Sequence, residues 1–465
     1  YKIPMPKVQA DGLPLPQRYG AILTIVIGIS MAVLDGAIAN VALPTIARDL
    51  GTEPSVTIWV VNAYQLAITI SLLSFSSLGD IYGYRRIYLS GIALFSVTSL
   101  ICALSGSFWT LTAARILQGF GAAAITSVNT ALLRIIYPKK FLGRGMGLNA
   151  LVVAVSIAAG PTIASAILSL GSWHWLFAVN VPFGIAALVI GLSHLPQNPV
   201  KTYGRCFDKT SCLMNALTFG LLIFSLEGIA HKKSAVLIVC GVVALGIIGF
   251  FFVRRQLRQR FPLLPVDLMR IPIFSLSIGT SISSFTAQML AMISLPFFFQ
   301  NTLGRSDVAT GLLLTPWPLA TMIMAPTAGR LVEKIHPGIL GGIGMSIFAT
   351  GLFLLATLPA HPTDMEIIWR LFVCGAGFGL FQTPNNSTII SSAPTNRSGG
   401  ASGMLGTARL LGQTLGATLV AMIFNLVPNH STQACLYLAG AFAIVAGIVS
   451  CLRISEPAPL KRKIE

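Results

Sequence analysis

Runs of about 20 apolar residues, each closed by charge, proline or glycine, recur along this chain and constrain its fold more than any motif does. A hydrocarbon core of about 30 Å is crossed by about 20 helical residues at about 1.5 Å each. In lipid each backbone amide must find its partner within its own segment, so such runs read as transmembrane helices. They fall near 19–43, 57–78, 87–105, 109–133, 144–168, 175–195, 211–230, 235–253, 273–299, 308–332, 338–358, 364–391, 403–426 and 434–453. The expected fold is an all-α polytopic membrane protein with 14 such spans.

Charge bears on partners and orientation. The net charge of +17 would suggest nucleic acid in a soluble protein, but 54% of this chain is hydrophobic and its Lys and Arg sit in short loops. Their expected partner is the bilayer surface, and no nucleic acid is expected. With the N-terminus inside, the cytoplasmic segments collect Arg85, Arg86, Lys139, Lys140, Arg144, Lys201, Arg205, Lys209, Arg254 to Arg260 and Lys461 to Lys463. The other side keeps Arg48, Lys232, Lys233 and Arg305, so both termini are placed in the cytoplasm. The polar lead with Lys2, Lys7 and Arg18 runs into a span too long for a signal-peptide core, which predicts that this helix stays in the protein. Seven cysteines and six histidines, scattered without ligand spacing, predict neither a disulfide framework nor a metal site.

The spans divide into a cytoplasmic lead (1–18), a six-helix block (19–195), a basic linker carrying two extra helices (196–272), a second six-helix block (273–453) and a basic tail (454–465). The blocks echo each other. ALPTIARDLG (Ala42–Gly51) returns as SLPFFFQNTLG (Ser294–Gly304). SSLGDIYGYRR (Ser76–Arg86) returns as GRLVEKIHPG (Gly329–Gly338), each with a carboxylate, Asp80 or Glu333, at its fifth position. Arg115 in the fourth span matches Arg370 in the twelfth. Two pseudo-symmetric bundles with a site between them are how alternating-access transporters are built.

Asp35 lies inside the first span, where an ionised carboxylate costs roughly 2.5–3.5 kcal/mol unless a wet cavity or partner answers it. It reads as the proton site of a transporter. Helix rise puts it about 12 Å below the outer end of its span and Arg115 about 9 Å below the same end. The second-half counterpart of Asp35 falls at Ala287 or Gln288, which cannot carry the proton, so one half is expected to couple and the other to bind substrate. For Arg370 a structural and a functional role stand equal. One charge crossing 100 mV is worth about 2.3 kcal/mol, so a single proton matches a monovalent cation or a neutral compound rather than a dication. Candidate cavity residues are Met31, Asn40, Asn62, Tyr64, Gln65, Gln288, Met292, Trp317, Arg370, Phe381 and Gln382, which offer hydrogen bonds and adaptable apolar or cation-π contacts. Glu227 reads as an ion pair with Lys232 and Lys233 near a span end. GAGFG (Gly375–Gly379) sits mid-helix with no strand before it, so it reads as close helix packing. No GxxxxGK[ST] loop is present, so the proton motive force is the expected driver, with no cofactor and no enzymatic activity.

These residues resemble the major facilitator superfamily, in particular its fourteen-helix drug:proton antiporter branch. SSLGDIYGYRR is similar to the family's gating motif between helices 2 and 3, with Asp80, Gly83 and Arg85 kept and Ile81 and Tyr84 where bases are common. Gly329 and Glu333 repeat it in the second half. RILQGFG, with Arg115, Gln118, Gly119 and Gly121, resembles the helix 4 proton-coupling motif. AAGPTIAS, with Gly160 and Pro161, resembles the helix 5 antiporter motif, and WHWLFAVNVPFG (Trp173–Gly184) the branch's helix 6 signature. The resemblance implies that Asp35 neighbours Arg115. It further implies a monomeric, proton-coupled exporter of amphiphilic small molecules in a bacterial inner membrane. A dedicated exporter of one metabolite, of amino acid or siderophore type, is the alternative it leaves open.

Overall fold

A computed structural model describes residues 12–52, 54–57, 59–197, 207–230, 235–259, 262–305, 307–359, 361–427 and 430–453. The first part of the chain forms α1 (Leu15–Asp49), α2 (Pro54–Thr57), α3 (Trp59–Tyr82), α4 (Tyr84–Ala103), α5 (Phe108–Ile136), α6 (Leu142–Leu170), α7 (His174–Ala178) and α8 (Asn180–His194). Then come α9 (Lys209–Ala230) and α10 (Ala235–Arg258). The remainder forms α11 (Pro272–Phe297), α12 (Asp307–Leu314), α13 (Pro316–Leu331), α14 (Pro337–Ala356), α15 (Asp364–Ser392), α16 (Ser398–Leu426) and α17 (Ser431–Leu452). Among the described residues, 11 helices are long and apolar enough to cross a membrane. The other expected spans fall on α9, on the α12–α13 pair and on α15, which is long but carries Arg370, Gln382, Asn385 and Asn386. The linker bases Lys201, Arg205, Lys232 and Lys233 and the basic tail lie outside the described residues.

Two expected spans are each split into two helices, and proline accounts for both breaks. Pro182 has no amide hydrogen, and its ring crowds the carbonyl four residues back, at Ala178, where α7 ends. Pro318 does the same to Leu314, where α12 ends.

In the first part α5 packs along α3 and α4, and α1 along α6 and α8; in the last part α15 packs along α13 and α14, and α11 along α16 and α17. Between the two parts α6 lies on α13 and α3 on α16, while α9 and α10 pair with each other and α9 touches α3 and α16.

The closest crossings repeat. A Cβ at Gly119 of α5 would meet the Tyr64 carbonyl of α3 at less than 3.0 Å, and one at Gly375 of α15 would meet the Trp317 carbonyl of α13 in the same way. Gly121 abuts the Phe95 amide of α4 as Gly377 abuts the Phe348 amide of α14. Only glycine permits these approaches, so they fix which residue of one part corresponds to which of the other.

Candidate functional site: a buried carboxylate cluster

Three side chains from two helices, Arg115 and Gln118 of α5 and Asn180 of α8, bind Asp35 inside the first part of the chain, and α3 and α4 brace them. The Arg115 guanidinium of α5 pairs with Asp35 Oδ2, and the two side chains are 0% and 1% exposed. Gln118 of α5 donates Nε2–H to Asp35 Oδ1 at 3.0 Å and accepts from Arg115 Nη1 at 2.7 Å. Asn180, the first residue of α8, donates to the same Oδ1 at 3.1 Å. Ser99 of α4 accepts from Gln118 at 2.8 Å, and the Val60 carbonyl of α3 accepts from Arg115 Nε at 3.1 Å. The guanidinium lies 4.1 Å from the Tyr64 ring centre and 5.5 Å from that of Phe177, so its open faces meet π clouds rather than water. Arg115 Nη2 finds no hydrogen-bond acceptor among the described residues.

The second half answers this cluster with carbon and sulfur. Carried over from the Gly119–Gly375 and Gly121–Gly377 equivalences, Arg115 corresponds to Leu371 and Gln118 to Cys374. Gly160 of α6 abuts Ala37 of α1 as Gly416 of α16 abuts Met289 of α11, which sets Asp35 against Ala287. All three counterparts are buried in one apolar cluster. The sequence match of Arg115 with Arg370 is therefore out of register by one residue: Arg370 lies beside the apolar counterpart, over Trp369 at 5.2 Å, with Nε and Nη1 unpartnered among the described residues.

A second constellation ties the two parts together at the end where Arg85, Lys139, Lys140, Arg144 and Arg397 gather, here termed the basic end. Gly83 adopts φ +105°, a conformation that favours glycine and lets the chain turn sharply from α3 into α4. That turn sets Tyr84 to donate to Asp80 Oδ1 at 2.7 Å. The Gly399 amide of α16 donates to Asp80 at 2.9 Å, and Ser76 donates to the Gly399 carbonyl. Arg397 stands 3.9 Å from Asp80 and donates to Asp267 at 2.6 and 2.8 Å. Beside it Arg134 donates to Ser398 at 2.8 Å, and Thr130 donates to Ser402. Across the bundle Arg144 grips Glu333 with two hydrogen bonds, 2.7 and 3.1 Å, over a close crossing of Gly143 and Gly329. Arg85 turns instead to the Leu192 carbonyl within its own part.

The profile of the Major Facilitator Superfamily matches residues 25–417 and 276–465. The chain belongs to that superfamily. It is 64% identical over 453 residues to the Escherichia coli uncharacterized transporter YebQ, covering 97% of this chain and 99% of that one. It is 29% identical to the riboflavin transporter RibZ of Clostridioides difficile, covering 88% and 89%, and 31% identical to the tetracenomycin C resistance and export protein of Streptomyces glaucescens, covering 89% and 76%. The crystal structure of the human organic anion transporter MFSD10 superposes with a TM-score of 0.68 at 14% identity, over 93% of this chain and 99% of that one, a likeness of fold.

The other expected site residues of this superfamily member scatter. Met31, Tyr64, Trp317 and Phe381 are packed inside the apolar cores, Tyr64 donating to the Ala32 carbonyl at 3.0 Å. Asn62, Gln288, Met292 and Gln382 are half-buried, and Gln65 is exposed. The side chains of Asn40, Pro161 and Glu227 lie outside the described residues. Asn180, Ser99, Tyr84 and Arg397 were not singled out as site residues from the sequence; the lone Asn before Pro182 in an apolar run was the available signal for Asn180.

Proposed function

We propose that this protein is a proton-coupled exporter of amphiphilic compounds carrying no more than one charge, working by alternating access between two six-helix bundles, with fourteen spans in all and α9 and α10 beside the bundles. The observation that carries this reading is the Asp35–Arg115–Gln118–Asn180 cluster, a carboxylate sealed in the membrane interior of one half and matched by apolar residues in the other. Donors aimed at a carboxylate favour its ionised form, and their withdrawal in an apolar setting favours the acid. In this reading Asp35 carries the proton, and the helix movements of alternating access part it from Arg115 and rejoin the two.

The basic end is the cytoplasmic side in this reading, with both termini there, in a bacterial inner membrane. Its interlocked residues then close the cytoplasmic gate, which is the arrangement of an outward-facing carrier. Export rather than uptake is supported by relatives whose names include tetracenomycin C export and multidrug efflux, at 31% and 28% identity. RibZ, named for riboflavin, keeps a dedicated single-compound carrier as the second reading. Everted membrane vesicles energised to an acid interior test the proposal. Uptake of amphiphilic dyes that collapses with nigericin and is lost in Asp35→Asn supports it; uptake indifferent to the pH gradient refutes proton coupling.

A further inference from the structure

The second half holds guanidinium groups that no acid among the described residues answers, and one of them stands deep in the membrane on the stripe of α16 that meets the first half. Among the described side chains, Asp35 is matched by Arg115, Asp80 by Arg397, Glu333 by Arg144 and Asp364 by Arg305. Arg409, in the middle of α16, is half-buried and makes no hydrogen bond or ion pair with any described residue. It was not among the residues that the sequence singled out.

Its position follows from contacts on its own helix. Ser402 meets Thr130 of α5, and Arg409 stands seven residues on, two turns along the same stripe. The flanking stripes are occupied. Gly403 and Gly406 press on Ser76 and Leu72 of α3 and Gly412 on Ile282 of α11, while Gly416, seven residues on again, meets Thr286 and Met289 of α11. Arg409 therefore stands between the α3 and α11 contacts, on the stripe that meets α5 at Ser402, about 10 Å farther from the basic end than the Ser402–Thr130 contact. On α5, Arg115 stands about 22 Å beyond Thr130, so the Asp35 cluster lies about 12 Å past Arg409 and is no partner for it. The ends of α16, at Ser398 and Leu426, are about 16 and 25 Å away along the axis, farther than an arginine side chain reaches toward headgroups.

The first half has no such group. Gly147 of α6 abuts Ala325 of α13 as Gly403 of α16 abuts Ser76 of α3, and that equivalence sets Arg409 against Val153. A lone guanidinium at this depth implies a partner of opposite charge that the described residues do not supply. Its planar fork suits a carboxylate or another delocalised oxyanion.

We propose that Arg409 is the substrate-binding cation and that the transported compound is an amphiphilic organic monoanion. This rests on the exporter reading above and reverses the charge class that the sequence suggests. It changes the energetics of the cycle. Expelling a monoanion while admitting one proton moves two positive charges inward, so the membrane potential drives transport, whereas exchange of a monocation for a proton moves none.

Resorufin, a flat monoanion, and cresyl violet, a flat monocation on a related ring system, are the probes. Binding to purified protein in lipid nanodiscs is read by fluorescence anisotropy for wild type, Arg409→Gln and Arg409→Lys, each checked for a sharp size-exclusion peak and an unchanged melting midpoint. Expected is tighter binding of resorufin than of cresyl violet, a roughly 10- to 100-fold loss for resorufin alone in Arg409→Gln, and partial rescue in Arg409→Lys. No preference for resorufin, or equal loss for both dyes, overturns the proposal. In proteoliposomes, resorufin flux driven by a pH gradient is expected to rise when a potassium–valinomycin potential is added in the driving sense; flux blind to that potential overturns it too. Selective binding with no proton-driven flux leaves the anion site standing and removes the exporter reading instead.

Discussion

The Gly399 amide donates to the Asp80 carboxylate at 2.9 Å and lies 3.0 Å from the Tyr84 hydroxyl, so a backbone group of α16 is locked into the turn between α3 and α4. The lock is buried, and its acceptor is charged, which makes it one of the stronger links between the two halves. A Cβ at residue 399 would fall on Asp80 itself. Gly399→Ala is therefore expected to open the basic end, as is Asp80→Asn, which keeps the shape and loses the charge. A hydrogen bond to a charged group contributes about 1.5–3 kcal/mol, so either change shifts the gate equilibrium by about tenfold or more. Deuterium exchange reads this directly: amides 76–84 and 395–403 should exchange faster in both variants, and unchanged exchange would show that the lock is dispensable.

The apolar counterpart of the Asp35 cluster is a natural control. Arg115→Leu alone leaves the Asp35 carboxylate buried without its cation and should cost about 3–5 kcal/mol. Copying the second half at both charged positions, with Asp35→Ala and Arg115→Leu together, removes both charges and should restore most of the lost stability while abolishing any proton coupling through Asp35. Thermal unfolding in detergent compares the three proteins. A double variant as unstable as the single one would mean that the ion pair holds the bundle rather than serving transport.

At the start of α9, Asp208 accepts from the Ser211 amide at 3.1 Å and hydroxyl at 2.8 Å, from Arg255 of α10 at 3.0 Å and from Gln259. Burial pushes its carboxyl up, but the hydrogen bonds from Ser211, Gln259 and Arg255 outweigh that and hold it at about 2. A lowered carboxyl stabilises the fold above its ordinary range near 4 and loses that contribution as pH falls through about 2. Both partners are part-exposed, so the link contributes no more than about 1 kcal/mol. The melting difference between wild type and Asp208→Ala should stay flat from about pH 8 to about pH 5 and shrink in stronger acid. A difference that fades near neutrality would contradict it.

How much of this was legible in the sequence depended on whether the information was local. Asp35 and Arg115 could be set at one depth by helix rise alone, because depth is a one-dimensional quantity, and the family resemblance supplied their adjacency. Asn180 could not, since its place beside Asp35 follows from where the Pro182 break starts α8 and from how that helix lies on α1. Matching Arg115 to Arg370 followed residue type, whereas the true register is set by glycine crossings, in which a single-residue slip moves a side chain about 100° around the helix. Tyr84 looked like a missing base in the gating loop, yet its hydroxyl does the pairing, and the base comes from Arg397, more than 300 residues away.

Proton release on substrate binding tests the central claim most directly. Purified wild type and Asp35→Asn are placed in weakly buffered detergent with a pH-sensitive dye, and a transported compound is added while its binding is followed separately. Expected is release of about one proton per protein in wild type and none in Asp35→Asn, which still binds. Release that persists in Asp35→Asn, or its absence in wild type that binds, would contradict Asp35 as the coupling site.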